Sequence, residues 1–295
     1  RHYQLDLLHT QYILPFPCFS AGMVTIHDIL FETHPQYFTR LFRWRSQFLM
    51  RLAAQKAQHI FTVSEYSRQQ LAEYYPVALD KITVIYNGVN TQRFFPSQAG
   101  VAYLSARQLQ TKAYILSVGR LEPRKNHLTL LHAYAHLMTM GQSLPPLVLV
   151  GQRDFHFNAI FTTIEDLNLA AQVRIIEDVG EEELAALYRH AQLFVYPAFA
   201  EGFGMPILEA MASGVPVISS NLSAIPEVVG EAGILINPNN IQELAQAIQL
   251  LLSDPQLSHA YSVKGLTQIK KFTWKIAAEL VYKHYLIYAE SARKK

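Results

Sequence analysis

One cysteine, Cys18, stands in 295 residues. It excludes a disulfide within the chain and a zinc site built on cysteines. A reducing compartment, the cytoplasm, is the expected location. No apolar run reaches the roughly 20 residues that span a bilayer. The opening stretch RHYQLDLLHTQYILPFP has no basic stretch, apolar segment and small-residue cleavage site in the order of a signal peptide. Charge is scarce as well. Only 16% of residues are Asp, Glu, Lys or Arg, and the formal net charge is +2. That balance gives no electrostatic case for a nucleic-acid partner. The pattern GxxxxGK[ST] is absent, so a P-loop nucleotide hydrolase is not supported. Internal repeats and low-complexity tracts are missing too.

What is present is apolar and periodic. Half of the residues are hydrophobic, enough for a well-buried core. Short apolar runs alternate with longer helical stretches, the signature of βαβ units around a parallel sheet. In the second part of the chain, strands are expected at 113–119, 147–151, 173–178, 193–197, 215–220 and 233–238. Helices are expected at 126–140, 156–169, 181–191, 206–213 and 241–255. In the first part, strands fit 6–10, 23–28, 59–64 and 81–88, and helices fit 38–57 and 65–75. The segment 91–111 has no clean periodicity and contains Pro96, Ser97 and Gly100, so 96–111 reads as a linker. A final helix opens on a Thr273 cap and runs from 273 to the end.

The segment Glu201–Glu209, EGFGMPILE, is the strongest local signal. It follows a strand, where open α/β sheets bind ligands. Pro206 suits the start of a helix, whose first N–H groups point outward and attract anions. Gly202 and Gly204 let backbone approach a ligand closely. Carboxylates beside an anion site repel phosphate, so Glu201 and Glu209 suit the hydroxyls of a ribose and a sugar. A second element, VGRLEPRKNH at 118–127, clusters Arg120, Arg124 and Lys125 on a strand-to-helix turn. Cations there suit a diphosphate. The bland alternatives are a solvated acidic pair and a solvated basic loop.

These residues together resemble a known family. Gly119-Arg120, then Arg124-Lys125-Asn126, GEEEL at 180–184, and glutamates at 201 and 209 are similar to the retaining glycosyltransferases of the GT-B fold, family 4. TIHD (25–28), TVSEYSR (62–68), YNGVN (86–90) and FTW (272–274) extend the likeness over the whole chain. The resemblance implies an α/β protein with two Rossmann-like domains, parallel sheets facing across a cleft, and a C-terminal helix crossing back. The expected boundaries are 1–95 for the acceptor-side domain, 96–111 for the linker, 112–272 for the nucleotide-sugar domain and 273–295 for the returning helix.

The resemblance also implies roles. Arg120 and Lys125 would bind the diphosphate beside Gly119 and offset charge on the departing nucleotide. Glu209 would accept from the ribose hydroxyls. Glu201 and the backbone of Phe203, Gly204 and Met205 would hold the donor sugar, and the Leu208 N–H would touch phosphate. Val179 would meet the base through its backbone, with Arg153 near the base or phosphates. His27, with Asp28 beside it, would lie near the reacting sugar; a structural histidine is the alternative. The expected catalytic set is His27, Arg120, Lys125 and Glu201. No metal and no resident cofactor are expected, only a nucleotide-sugar co-substrate, UDP-glucose ahead of GDP-mannose. The acceptor would be a glycan or lipid-linked glycan in polysaccharide biosynthesis. A GT-B epimerase or phosphorylase, or a non-catalytic sugar-nucleotide-binding protein, are the competing readings.

One feature departs from the family pattern. Its N-terminal domain opens with a strand and a glycine-rich loop that do not precede Arg1 here, so about 80 to 100 further residues are expected in the natural protein. The stretch 37–51 interleaves Arg40, Arg43, Arg45 and Arg51 with aromatics. It reads first as a helix packed on the sheet with its arginines in solvent, and second as a peripheral contact with an anionic membrane.

Overall fold

A computed structural model describes residues 5–15 and 21–293; Cys18 lies outside them. The chain divides into two compact units. One holds 1–88, 201–203 and 272–295, and the other holds 89–200 and 204–271.

The first unit is built on four parallel strands in the order β1 (Leu7–Gln11), β2 (Ala21–Thr25), β3 (His59–Thr62) and β4 (Ile82–Val84). A parallel sheet needs both faces covered, and the alternation of side chains along each strand assigns the two covers. Val24, Ile60 and Ile82 share one cluster with Met50 and Ala54 of the helix Arg40–Lys56 and Leu71 of the helix Glu65–Tyr74. Their strand neighbours Met23 and Phe61 join the other cluster with Ala277, Val281, Tyr285 and Tyr288 of the helix Trp274–Arg293. Thr273 caps that helix as expected, accepting from the Ile276 N–H at 3.2 Å. Gly88 passes so close that a Cβ there would lie 2.2 Å from the Trp274 nitrogen.

The second unit carries six parallel strands: β5 (Ile115–Val118), β6 (Leu147–Val150), β7 (Val173–Ile176), β8 (Leu193–Tyr196), β9 (Val217–Ser220) and β10 (Gly233–Ile236). Their spatial order is β10-β9-β8-β5-β6-β7. β5, β6, β8 and β9 are buried along their whole length, which is why they read as unbroken apolar runs. Leu130, Leu131 and Tyr134 of the helix His127–Thr139 and Leu244 and Ile248 of the helix Ile241–Ser253 fill the core between strands and helices.

Two stretches differ from the sequence expectation. Residues 96–111 lie within the second unit and are not a bare linker. They form the helix Val101–Ala106, held by buried Leu104 and Leu109. Six residues are too few to set up a visible period. The helix Pro255–Gln268 was not anticipated either, although Asp254 caps it by accepting from the Leu257 N–H at 2.9 Å. It buries little more than Gly265 and Gln268, so it shows no apolar stripe.

Candidate functional site

In the second unit the chain runs from β5 outward through β6 and β7, then returns to the other side of β5 and runs outward through β8, β9 and β10. The direction reverses between β5 and β8. The carboxyl ends of the strands at such a reversal are the usual ligand position of open α/β sheets. Most of the anticipated residues sit on these ends. Gly119 and Arg120 follow β5, Arg153 follows β6, Val179 follows β7, and Gly204, Met205, Leu208 and Glu209 follow β8.

The two loops are fastened to each other. The Phe199 N–H donates to the Arg124 carbonyl at 2.9 Å, and the Arg124 guanidinium donates to the Ala200 carbonyl at 2.8 Å and to Glu122 at 2.6 Å. Asn126, in the left-handed region at φ 58°, donates its amide to the carbonyls of Pro197 at 3.0 Å and Pro238 at 2.8 Å. Arg124 therefore serves as a strap, and its charge is met by Glu122. Of the basic cluster seen in the sequence, Arg120 and Lys125 stand outside this strap.

These two differ in kind. Lys125 is only 8% exposed. Its stem runs along Gly119, where a Cβ would meet it at 3.4 Å, and its Nζ donates to the Tyr196 hydroxyl at the end of β8 at 2.8 Å. A buried ammonium spanning the two strands of the reversal is costly unless met by acceptors. Arg120 is 70% exposed in its side chain and pairs with Asp154 at 2.7 Å, which holds the Asp154 carboxyl below its usual range. An exposed pair of this kind contributes about 0–1 kcal/mol, so Asp154 holds the guanidinium only weakly. Arg153 is engaged twice over. It forks onto Glu177 at 2.9 and 2.7 Å and lies over the rings of Phe157 and Phe161. These contacts join the ends of β6 and β7.

The helix Met205–Ala212 opens on Gly204 at φ 107°, a conformation that L side chains avoid. It starts one residue earlier than expected, which leaves Pro206 at its second position. Leu208 is buried and Met205 half-buried. Glu209 is half-buried one turn in. Burial raises its pKa, opposed by the Tyr188 hydroxyl and by Arg93. That hydroxyl is fully buried beside the carboxylate and completes no hydrogen bond of normal geometry. Tyr188 and Arg93 were not singled out in the sequence, because only packing brings them to Glu209. Half-buried Val179 stands just before Gly180, whose N–H is taken by Glu183 at 2.9 Å.

The segment Glu201–Glu209 is not one structural piece. Residues 201–203 belong to the first unit and 204–209 to the second. In the first unit the Gly202 carbonyl accepts from Ser64 Oγ at 2.8 Å and Ser67 Oγ at 3.4 Å, both from the TVSEYSR motif. Phe203 packs with Tyr86 and Phe272 at ring distances of 6.1 and 5.8 Å, and Glu201 is buried. His27, two residues past β2, is half-buried with its ring 5.3 Å from that of Tyr12. Burial lowers its pKa, opposed by Asp28. Asp28 also accepts from the Leu30 N–H at 3.2 Å, so it opens the following helical turn.

Comparison with known proteins places this geometry. The family model described as "Glycosyl transferases group 1" matches residues 105–267, and "Glycosyltransferase Family 4" matches 1–93. The chain is 34% identical to O-antigen chain mannosyltransferase B of Escherichia coli over 86% of its own length and 67% of that protein. It is 28% identical to the serotype-specific mannosyltransferase WbdA of Escherichia coli, over 96% of its length and 36% of that protein. It thus spans two thirds of the first relative and little over one third of the second. Sucrose-phosphate synthase from Thermosynechococcus elongatus superposes with a TM-score of 0.83 at 24% identity, covering 97% of this chain and 74% of that one, which is a likeness of fold. With over half of its length matched by the group 1 model and its strands, reversal point and buried lysine laid out as described, this chain belongs to the glycosyl transferases group 1 family and has the GT-B fold.

Proposed function

We propose that the protein transfers mannose from a nucleoside-diphosphate mannose, GDP-mannose in the first instance, to a growing polysaccharide, with retention at the anomeric carbon and without a metal. The observation that carries this reading is the buried Lys125 ammonium at the β5–β8 reversal, bonded to Tyr196. A nucleotide diphosphate bound there meets Lys125, Arg120 and the N–H groups of the helix that opens at Gly204. In transfer, the bond from the anomeric carbon to the diphosphate oxygen breaks and the electron pair leaves with the phosphate. The acceptor oxygen bonds to the carbon on the same face and its proton passes to the departing phosphate oxygen. Cations and N–H dipoles aimed at that oxygen supply the largest catalytic term. Glu209, kept partly dry, suits the ribose hydroxyls. Glu201 with the Phe203, Gly204 and Met205 backbone, and His27, keep the roles that the resemblance implies for the donor sugar. The sequence alone favours UDP-glucose. The mannosyltransferase relative at 34% identity weighs more, because it covers most of this chain.

The test is a panel of GDP-mannose, UDP-glucose and their counterparts with exchanged sugar and base, incubated with the full chain and a mannan-type acceptor primer. Release of GDP with extension of the primer by mannose is expected, at least tenfold faster than any UDP-sugar. Preferential turnover of UDP-glucose overturns the choice of donor, and no release with any donor overturns transfer itself.

A further inference from the structure

The helix Arg40–Lys56 carries four arginines and a lysine and no acidic residue. Its inner face is accounted for. Met50, Ala53 and Ala54 are buried, and Gln47 donates to Glu32 at 2.7 Å. The outer face is not. Leu41, Trp44 and Phe48 are 77%, 72% and 64% exposed. At spacings i, i+3 and i+7 they form one stripe. At 100° per residue, Arg40 and Arg51 border one side of that stripe and Arg45 and Lys56 the other. Packing explains Phe42, whose ring lies 6.3 Å from Phe31 and 5.6 Å from Phe38. It does not explain an indole, a phenyl ring and a leucine turned to water in a row.

An apolar stripe bordered by cations fits the boundary between acyl chains and anionic headgroups. Rings and the leucine enter the boundary, while arginine stems lie along it and their guanidinium groups take phosphate oxygens. The helix has 17 residues and is too polar to span; among the described residues no helix is long and apolar enough to cross a membrane. A second copy of this face is a poor occupant, since two all-basic borders would meet like against like. We propose that the helix Arg40–Lys56 docks the protein onto an anionic bilayer, lying in the plane of the surface with Leu41, Trp44 and Phe48 inserted.

The chain has two tryptophans, Trp44 and Trp274, so a Trp274→Phe background makes Trp44 the sole indole reporter. The full chain is mixed with vesicles of phosphatidylglycerol or of phosphatidylcholine and followed by flotation and fluorescence. Binding to the anionic vesicles alone is expected, with a blue shift of Trp44 and quenching by brominated acyl chains. Replacing Leu41, Trp44 and Phe48 together by serine should weaken partitioning about a hundredfold. Replacing Arg40, Arg45 and Arg51 together by glutamine should remove its salt dependence. Thermal unfolding of both triple variants should stay at the wild-type temperature, since none of these side chains is in the core. Equal partitioning of wild type and the serine variant, binding without Trp44 quenching, or self-association through this face that vesicles fail to reverse each overturns the proposal.

Discussion

The two units cover a parallel sheet in chemically different ways. In the second, the loops around the reversal are held mainly by the Arg124 guanidinium, the Asn126 amide and backbone N–H groups, with one imidazole, His127, on the Arg120 carbonyl at 3.2 Å. In the first, the C-terminal helix is fastened through imidazoles. His9 bonds Tyr285 at 2.5 Å, His59 bonds Tyr288 at 3.0 Å, and His284 bonds Thr83 at 3.1 Å. The ring of His59 stacks on that of His284 at 4.8 Å. The helix clamp rests on several imidazoles where the turn after β5 rests on one, so the first unit gathers more groups that respond to protons.

The sharpest way to break this contrast is to remove the buried Lys125 ammonium at the reversal. Lys125→Ala, and Lys125→Met as the better-packed control, should each lower transfer about a thousandfold, the scale of losing a leading electrostatic contact. Circular dichroism should show an intact fold. Wild-type-like turnover in either variant would sink the assignment of Lys125. Next come two glycines, one per unit. Gly151→Ala would set a Cβ 2.0 Å from the Gly119 carbonyl, wedging β5 from β6, and Gly88→Ala would drive one into the Trp274 backbone. Each should cost about 3 kcal/mol, the upper end for overpacking. Hydrogen exchange should rise in β5–β7 for the first and in β3, β4 and the C-terminal helix for the second. Exchange that rises everywhere alike would show that the units do not differ in this way.

The smallest effect is acid sensitivity. His59 is held down to about 4 by burial first, then by His284 and Lys81. A histidine with a lowered folded pKa binds its proton more weakly than in the unfolded chain. Its contribution is whole above about 6.5 and is lost as pH falls toward about 4. After allowing for solvent around the ring, the loss is on the order of 2 kcal/mol. His9 and His27 are lowered in the same unit, against His127, also at about 4, in the second. Exchange measured at pH 7.5 and 5.0, corrected for intrinsic rates, should therefore weaken β1–β4 more than β5–β10. Equal weakening would remove the contrast.

Much of this was legible in the residues. Buried parallel strands such as LVLV at Leu147–Val150 announce themselves, because a strand covered on both faces has no polar positions to interrupt it. The placement of Lys125, Gly204 and Glu209 after strand ends was legible, because an apolar run followed by a glycine- or proline-marked turn announces a strand-to-helix junction. The role of Arg124 was not, since Ala200 and Glu122 meet it only after folding. Nor was the division of Glu201–Glu209, because adjacency in sequence says nothing of which unit a loop packs with. The helix Pro255–Gln268 stayed hidden because it buries too narrow a strip to leave a period.

Asn126 shows how little matter can hold such a place together. One nitrogen atom carries both of the bonds that tie the loops after β8 and β10 to the turn after β5. Exchanging it for oxygen, the change that turns asparagine into aspartate, alters the side chain by almost nothing in volume. It nevertheless turns two attractions into two repulsions, a carboxylate against a pair of carbonyl oxygens. Slow hydrolysis of that amide would be nearly invisible in mass and shape, yet it would age the protein at the point where the loops after β5, β8 and β10 meet.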